Sequence, residues 1–565
     1  MKNKIFQSRD LCLRALDTNS ICAKSVRRNE EKMKTIAKNP IMPGFYPDPS
    51  ICAVGGDYYL VNSTFSYFPG LPVFHSRDLS HWEQIGNVLD REEQLPLKGA
   101  GHSQGLFAPT IRYHEGTYYV ICTNVSGGGN FIVTAENPAG PWSNPHYLPE
   151  AGGIDPSLFF DEDGKCYYIG THPNPDGCKY DGDWYIWIRE LDVEKMKLVG
   201  EEHNVWNGAM KGVHWPEGPH LYKIGEYYYI MHAEGGTGPD HAVTVCRSRN
   251  IFGPYENNFC NPILTHRHLG QKYPVKYVGH ADLIETPAGE WYMTMLAVRP
   301  LEGYTTMGRE TFLAKVVWEN GWPVVNPGVG MLTDEVEIGL PEWNPAEDLT
   351  FDTTANAIPG SNRVYEFAKA DRLGDEFLAL RNPGENLYTL DGEGLKLHFR
   401  KITLKEKDSP AYLALRQQHH SFTSGTSFDT EQLTQGRRAG IALVQSNEYH
   451  LRAEAGFTED GRLVAEAILC EKGADQVLAR VEIPGATKES MGQISFSMRV
   501  NGLTASVEAM CGDGSAVSLC SDQDIRALST EVAGGFVGCT VGMYAVASGD
   551  CDNGAACFKT FSYQA

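Results

Sequence analysis

Four side chains able to hold or move a proton, Asp48, Asp155, Glu217 and His280, stand at the head of similar short passages in this 565-residue chain. The passages are Asp48-Pro49-Ser50-Ile51, Asp155-Pro156-Ser157-Leu158, Glu217-Gly218-Pro219-His220-Leu221 and His280-Ala281-Asp282-Leu283. A fifth, Ala108-Pro109-Thr110-Ile111, has an apolar residue in that place. A lone Asp before Pro is a turn former. Three acids at one place in a repeat need another account, because clustered like charges destabilise a fold unless they work or bind a cation. Two carboxyl groups flanking one bond suit glycoside hydrolysis: one protonates the leaving oxygen, the other activates water or attacks. A third carboxylate nearby raises the pKa of the acid and orients it. On residue type, Glu217 is expected as the acid, with Asp48 or Asp155 as the base. The rival chemistry is a hard cation such as Ca²⁺ held by Asp48, Asp155, Glu217 and His280. A catalytic zinc is disfavoured, since no His-Glu-x-x-His or similarly dense spacing occurs.

The elements that must position these groups are legible as a repeat. Each passage leads into a polar turn and then an aromatic strand: Tyr58-Tyr59, Tyr118-Tyr119, Tyr167-Tyr168, Tyr227-Tyr228 and Trp291-Tyr292. The first residue of each passage lies 10 to 12 positions before its aromatic pair. The pairs recur at intervals of 60, 49, 60 and 64 residues, each leaving room for two further strands. Five hairpins of this kind predict a five-bladed β-propeller over residues 39–335. The innermost strands of a propeller share an axis, so residues at equivalent positions converge although they are far apart in the chain.

Composition is that of a globular protein, with 42% hydrophobic and 21% charged residues. The length calls for more than one core. A net charge of −22 argues against a nucleic-acid partner, and there is no apolar run long enough for a membrane span. The fourteen Cys form no C-x-x-C pair and are read as reduced thiols, with cytoplasmic placement expected. Residues 1–38 carry ten Lys or Arg and four acids, without the apolar stretch of a secretion signal. They are expected to be a disordered or non-native extension, the fold starting near Asn39.

Beyond a linker around Leu340–Pro345, alternation with period two persists. Leu395–Arg400 and Ile494–Val500 alternate cleanly, and Asn501-Gly502 is expected as a two-residue hairpin turn. Residues 345–565 are therefore predicted to form a β-sandwich. The whole chain is expected to be all-β.

The ordered set from Asn39-Pro40 through Pro47-Asp48-Pro49-Ser50, Gly153-Ile154-Asp155-Pro156, Trp215-Pro216-Glu217-Gly218-Pro219, Glu234-Gly235-Gly236-Thr237, Val278-Gly279-His280-Ala281-Asp282 and Gly308-Arg309-Glu310-Thr311 resembles glycoside hydrolase family 43, in particular its two-domain β-xylosidases. The resemblance runs from about residue 39 to the C-terminus. It implies a five-bladed propeller, a C-terminal concanavalin-like β-sandwich and an inverting mechanism. By motif it implies Asp48 as general base, Glu217 as general acid and Asp155 as modulator and orienter of Glu217. Arg309 resembles a substrate-contacting arginine; the alternative is a salt bridge within the propeller. His280 resembles the family's axial histidine, which in some members sits beside Ca²⁺ or a water cluster. Phe65, Phe68 and Phe107 lie in segments that resemble pocket walls; many relatives carry Trp where Phe107 stands. Phe536, in Gly534-Gly535-Phe536, is a candidate for the aromatic residue that the second domain lends to close the pocket, with strand-core packing as the alternative. The implied activity is that of a β-xylosidase releasing xylose from the non-reducing ends of xylo-oligosaccharides. An α-L-arabinofuranosidase and a non-catalytic sugar-binding propeller are the alternatives. No cofactor is required by that chemistry, a structural Ca²⁺ aside. The partner is a xylo- or arabino-oligosaccharide, and assembly as a homo-oligomer is compatible with the sequence.

Overall fold

The computed structural model describes residues 34–348, 350–351, 362–434, 436–487, 492–511, 514–549 and 551–565. Most of the expected basic extension therefore lies outside the described residues. Its end does not: Thr35–Lys38 is a strand, paired antiparallel with Glu335–Ile338. The ordered fold thus begins before Asn39. Its pattern was hard to read because the strand has four residues and turns Ile36 outward, burying Thr35 and Ala37. Asn39 reinforces this clasp, donating to the Leu313 and Thr333 carbonyls and accepting from the Leu313 N–H.

Five four-stranded antiparallel sheets follow. Their first strands are Ser50–Val54, Thr110–His114, Ile154–Phe160, Glu217–Ile224 and Lys276–Glu285. Each first strand touches the next, and the fifth returns to the first, so the sheets close into a ring as blades of a propeller. The aromatic strands are the second of each sheet, as in Asp57–Val61, which pairs with both Ser50–Val54 and Gly70–Ser76. The hairpins close with the turn chemistry expected. In the second sheet Glu115 and Gly116 both take positive φ, the requirement of a type I′ loop. Between the sheets lie apolar clusters, for example Val61, Val73, Leu106, Ile111 and Val120.

The C-terminal part packs an eight-stranded sheet on a six-stranded one, both antiparallel, around a large core that includes Leu413, Phe428, Leu451, Phe496 and Phe558. The hairpin expected at Asn501-Gly502 is displaced by one residue. Asn501 still pairs with Thr504, so the loop is Gly502-Leu503, with Gly502 at φ 62° in the first central place. Glycine there is the preference of a type II′ turn.

The two domains share a buried apolar seam in which Phe45, Phe65 and Tyr67 meet Leu380, Tyr412, Val537 and Tyr544. Tyr67–Phe68 pairs with Ala379–Leu380 across it. Fully buried Arg381 donates to the Ala100 and Asp408 carbonyls and to Asn447 Oδ1. The same seam includes Val537, and the segment 529–539, with its short helix Thr530–Ala533, brings Phe536 against Phe65 and Phe107 of the propeller. Among the described residues no helix is long and apolar enough to cross a membrane.

Candidate active site

The first strands are kinked where they reach one end of the ring. Asp48, Asp155 and His280 adopt φ of 51°, 53° and 46°, each followed at once by Pro49, Pro156 or Ala281. Ladder pairing breaks at the same points, between Ile154 and Ser157 and between Gly279 and Ala281. A left-handed non-glycine residue costs about 1–3 kcal/mol and persists only where the surroundings enforce it. Here the kink turns the side chain out of the ladder and over the axis.

The fourth blade differs from the sequence alignment. The residue with left-handed φ is Gly218, at 57°, and the ladder breaks between Glu217 and His220. Gly218-Pro219-His220 is therefore the structural equivalent of Asp48-Pro49-Ser50, and Glu217 enters from one position earlier. The acids are not all in register: the equivalent places hold Asp48, Ala108, Asp155, Gly218 and His280. Glycine is required in the fourth, since a Cβ there would lie 2.7–2.9 Å from the His280 ring.

Despite the offset, Asp48, Asp155, Glu217, His280 and Arg309 line one small cavity of about 60 Å³, with Phe65, Phe107, Ala108, Ile154, Thr237 and Phe536. Arg309 forks onto Asp48, Nη1 to Oδ1 at 2.7 Å and Nη2 to Oδ2 at 3.3 Å. Ser63 donates to Asp48 Oδ2 at 2.6 Å, and His280 Nδ1 lies 3.8 Å from Oδ1. Burial works against a charged Asp48, but Arg309, His280 and Ser63 outweigh it and hold the carboxyl below its ordinary range. Asp155 accepts from the Gly218 N–H at 3.2 Å. Burial, with Asp48 nearby, raises it to about 6 against the pull of His280. Glu217 is pushed well above the usual range, by burial first and then by Asp155 and Asp48. Among three neighbouring carboxyls, Asp48 is thus shifted down and Asp155 and Glu217 up.

The aromatic candidates divide. Phe65, Phe107 and Phe536 form one wall, with ring centroids 5.5–6.2 Å apart. Phe536 is 38% exposed, so it is a lid on the cavity and not a buried strand residue. It stacks on Phe65, Arg309 sits 5.5 Å from its ring centre, and its N–H donates to Ser103 Oγ. Phe68 does not reach this cavity. It pairs with Ala379 at the domain seam, because the chain turns at Phe65, φ 52°, and enters the short strand Tyr67–Phe68 beyond it. Arg309 is an ion-pair partner within the propeller, as one reading had it, and also lines the cavity. Ser63 and Thr237 were given no role from sequence. Thr237 was visible only as part of Glu-Gly-Gly-Thr, and Ser63 becomes a partner of Asp48 only through the hairpin that returns beside it.

The anchors do not form a metal cage. Among the described residues, the group with donor atoms at ligand spacing is His450, Cys470 and Asp475. Arg452 and Lys405 already engage Asp475 there, and Arg452 Nη1 is 3.1 Å from His450 Nε2, so the surroundings oppose a cation. Further along the axis from His280, beside which the resemblance implied a possible Ca²⁺, Ser50, His220 and Asp282 are engaged by the guanidinium of Arg112.

Residues 37–323 match the family model of glycosyl hydrolases family 43, and residues 364–564 match that of the beta xylosidase C-terminal concanavalin A-like domain. The chain is 48% identical over 533 residues to a xylosidase/arabinosidase of Butyrivibrio fibrisolvens, covering 94% of this chain and 99% of that protein. It is 36% identical to a non-reducing end alpha-L-arabinofuranosidase of Bacteroides ovatus, covering 93% and 94%. The crystal structure of a xylan beta-1,4-xylosidase from Bacillus halodurans superposes with a TM-score of 0.84 at 33% identity, covering 94% of this chain and all of that one.

Proposed function

From the premise that this chain belongs to glycosyl hydrolase family 43, we propose that it is an inverting exo-glycosidase that releases xylose from the non-reducing ends of xylo-oligosaccharides. The observation that carries this is that two carboxyls of one small cavity are pushed in opposite directions: the Arg309 fork lowers the pKa of Asp48, while burial and its acidic neighbours raise that of Glu217. Two titratable groups driven apart in this way mark a base and an acid.

A terminal pentose enters the cavity with its apolar face against Phe65, Phe107 and Phe536. Glu217 gives its proton to the glycosidic oxygen as the bond from the anomeric carbon breaks. Asp48 takes a proton from the water that attacks that carbon from the opposite face, so the released sugar has inverted configuration. Asp155, tied to the Gly218 N–H, keeps negative charge beside Glu217 and orients the strand that carries it. Arg309 and Ser63 keep Asp48 charged and fixed in angle. Every proton in this scheme moves between the substrate, water and side chains of this chain. The cavity is small and Phe536 of the second domain lies over it, which favours cutting at chain ends over cutting within them.

The second reading, an α-L-arabinofuranosidase, is favoured by relatives that carry that name or both names. Nitrophenyl xyloside and arabinofuranoside assayed side by side distinguish the two. Product anomers followed by NMR on a defined xylo-oligosaccharide test the mechanism; retention of configuration would overturn it. Glu217→Ala and Asp48→Ala variants that stay folded yet lose both activities would exclude a binding-only propeller.

A further inference from the structure

Two residues beyond each kink, a second ring of side chains faces the axis beneath the cavity. It consists of Ser50, Thr110, Ser157, His220 and Asp282, all buried and all polar. Such a ring at the core of a fold needs partners for every group. Thr110 donates to the Pro156 carbonyl, and Arg112, two residues further along the second blade's first strand, engages Ser50, His220 and Asp282. Its Nη1 donates to Asp282 Oδ2 at 2.8 Å, to Ser50 Oγ at 3.2 Å and to the Ile111 carbonyl at 2.8 Å. Its Nη2 donates to His220 Nδ1 at 2.9 Å and to Asp282 Oδ1 at 3.2 Å. Ser157 Oγ lies 3.0 Å from the same His220 nitrogen, and Tyr222 donates to Asp282 Oδ1 at 2.6 Å. One guanidinium thereby joins four blades directly and the third through His220.

These contacts reach the cavity in two steps of chain. Ser50 follows Asp48, Ser157 follows Asp155, His220 follows Glu217 and Asp282 follows His280, in each case within three residues. A carboxylate, an imidazole nitrogen and two hydroxyls around one point would serve a hard divalent cation. Here that point holds a fixed positive charge with a planar fork of donors, which matches Asp282 through two bonds. We propose that Arg112 is the resident cation of this channel: it fills the place of a divalent ion and acts as a positioning residue for Asp48, Asp155 and Glu217, so that no metal is required at this level of the propeller. The kinetic arm of this proposal rests on the hydrolase reading; its binding arm does not.

The full chain, treated with EDTA, is titrated with Ca²⁺ while melting temperature, calorimetric binding and turnover of nitrophenyl xyloside and arabinofuranoside are recorded. The wild type is expected to give no heat of site binding, no rise in Tm and no gain in kcat. Arg112→Met is expected to lower kcat by about 10–100-fold with KM little changed, as loss of a supporting partner does. In that variant Ca²⁺ should bind and raise Tm, and guanidinium ion should restore part of kcat. The Arg112 side chain is 16% exposed, which leaves a solvent path for the small cation. Should Arg112→Met not fold, Arg112→Lys serves instead: it keeps the charge without the fork, and is expected to fold, to ignore Ca²⁺ and to turn over more slowly than wild type. Wild-type dependence on Ca²⁺, wild-type kcat in Arg112→Met, or an impaired Arg112→Met chain indifferent to both cations would each overturn the proposal. If the wild type cleaves neither glycoside, the hydrolase reading falls, while Tm and calorimetry still decide on the cation.

Discussion

Replacing Asp155 by Asn removes one negative charge while keeping the shape and an oxygen that can accept from the Gly218 N–H, 3.2 Å away in the parent. That amide belongs to the residue directly after Glu217, so the carboxylate acts on the acid at close range. Glu217 is raised by burial and then by Asp155 and Asp48; the substitution leaves the first and third of these and deletes the second. The sign follows: with less negative charge nearby, the Glu217 proton is held less tightly, and its pKa falls. A like charge nearby favours the protonated carboxyl, and Asp155 is the larger of the two acidic contributions on Glu217, so its removal is expected to move the Glu217 pKa measurably downward while Arg309 acts as before. Asp155 itself titrates at about 6, so its charge is present only on the alkaline side of the profile. The effect must therefore appear on the alkaline limb of kcat/KM, which reports protonated Glu217, and not on the acid limb, which reports ionised Asp48. The assay is kcat/KM against pH for wild type and Asp155→Asn with a nitrophenyl pentoside. A second substrate with a dinitrophenol leaving group, which needs little protonation, should show a much smaller change. An alkaline limb that stays in place, or moves to higher pH, would refute the charge argument and leave Asp155 a purely steric support.

Three further outcomes follow from the same geometry. Arg309→Met removes the principal charge that keeps Asp48 ionised against its burial, so the Asp48 pKa rises and the acid limb of kcat/KM moves up, with a stability loss at neutral pH of about 3–5 kcal/mol for the stranded carboxylate; an unmoved acid limb would assign the base elsewhere. Phe536→Ala leaves the fold intact, because the ring is part-exposed on a loop, but it opens the cavity, and inhibition by free xylose should weaken about tenfold, equivalent to about 1.4 kcal/mol of lost ring contact. Gly218→Ala adds a Cβ within 2.7 Å of His280 at a left-handed position, and should lower both Tm and kcat, whereas Gly116→Ala, at a turn with open space around it, should cost stability alone.

Much of this architecture was readable before any coordinates, because a repeated hairpin leaves a repeated trace. Aromatic second strands pack between blades, so Tyr58-Tyr59 and its four counterparts had to recur, and the Asp-Pro heads marked the first strands. What could not be read depended on convergence. Arg112 in Ile111-Arg112-Tyr113 looks like an outward residue of an alternating strand, and nothing local distinguishes it from a solvated arginine. It becomes a hub only because five strands meet on an axis. Phe68 failed for the converse reason: it shares a segment with Phe65, yet the chain turns at Phe65 and Phe68 lies in a short strand that pairs with the second domain. The strand at Thr35–Lys38 was lost because its pairing partner lies 300 residues away and its own four residues carry no alternation of apolar and polar types.

The one-residue offset of Glu217 has a geometric consequence. A kinked Asp before Pro delivers a short carboxylate straight onto the axis, where Asp48 meets Arg309 and Ser63 and is held charged. The same device at Asp155 places a carboxyl that lacks the fork, and burial with Asp48 nearby raises it. The fourth blade instead puts glycine at the kink, lets the His280 ring occupy the space a side chain would have filled, and projects Glu217 from the preceding residue. Glu217 then lies beside Asp155 and Asp48 without the fork that serves Asp48, and Arg309 lowers its pKa less than burial and the two acids raise it. The difference between acid and base thus lies in which carboxyl receives the Arg309 fork and the Ser63 hydroxyl, while the one-residue shift sets where Glu217 enters the cavity.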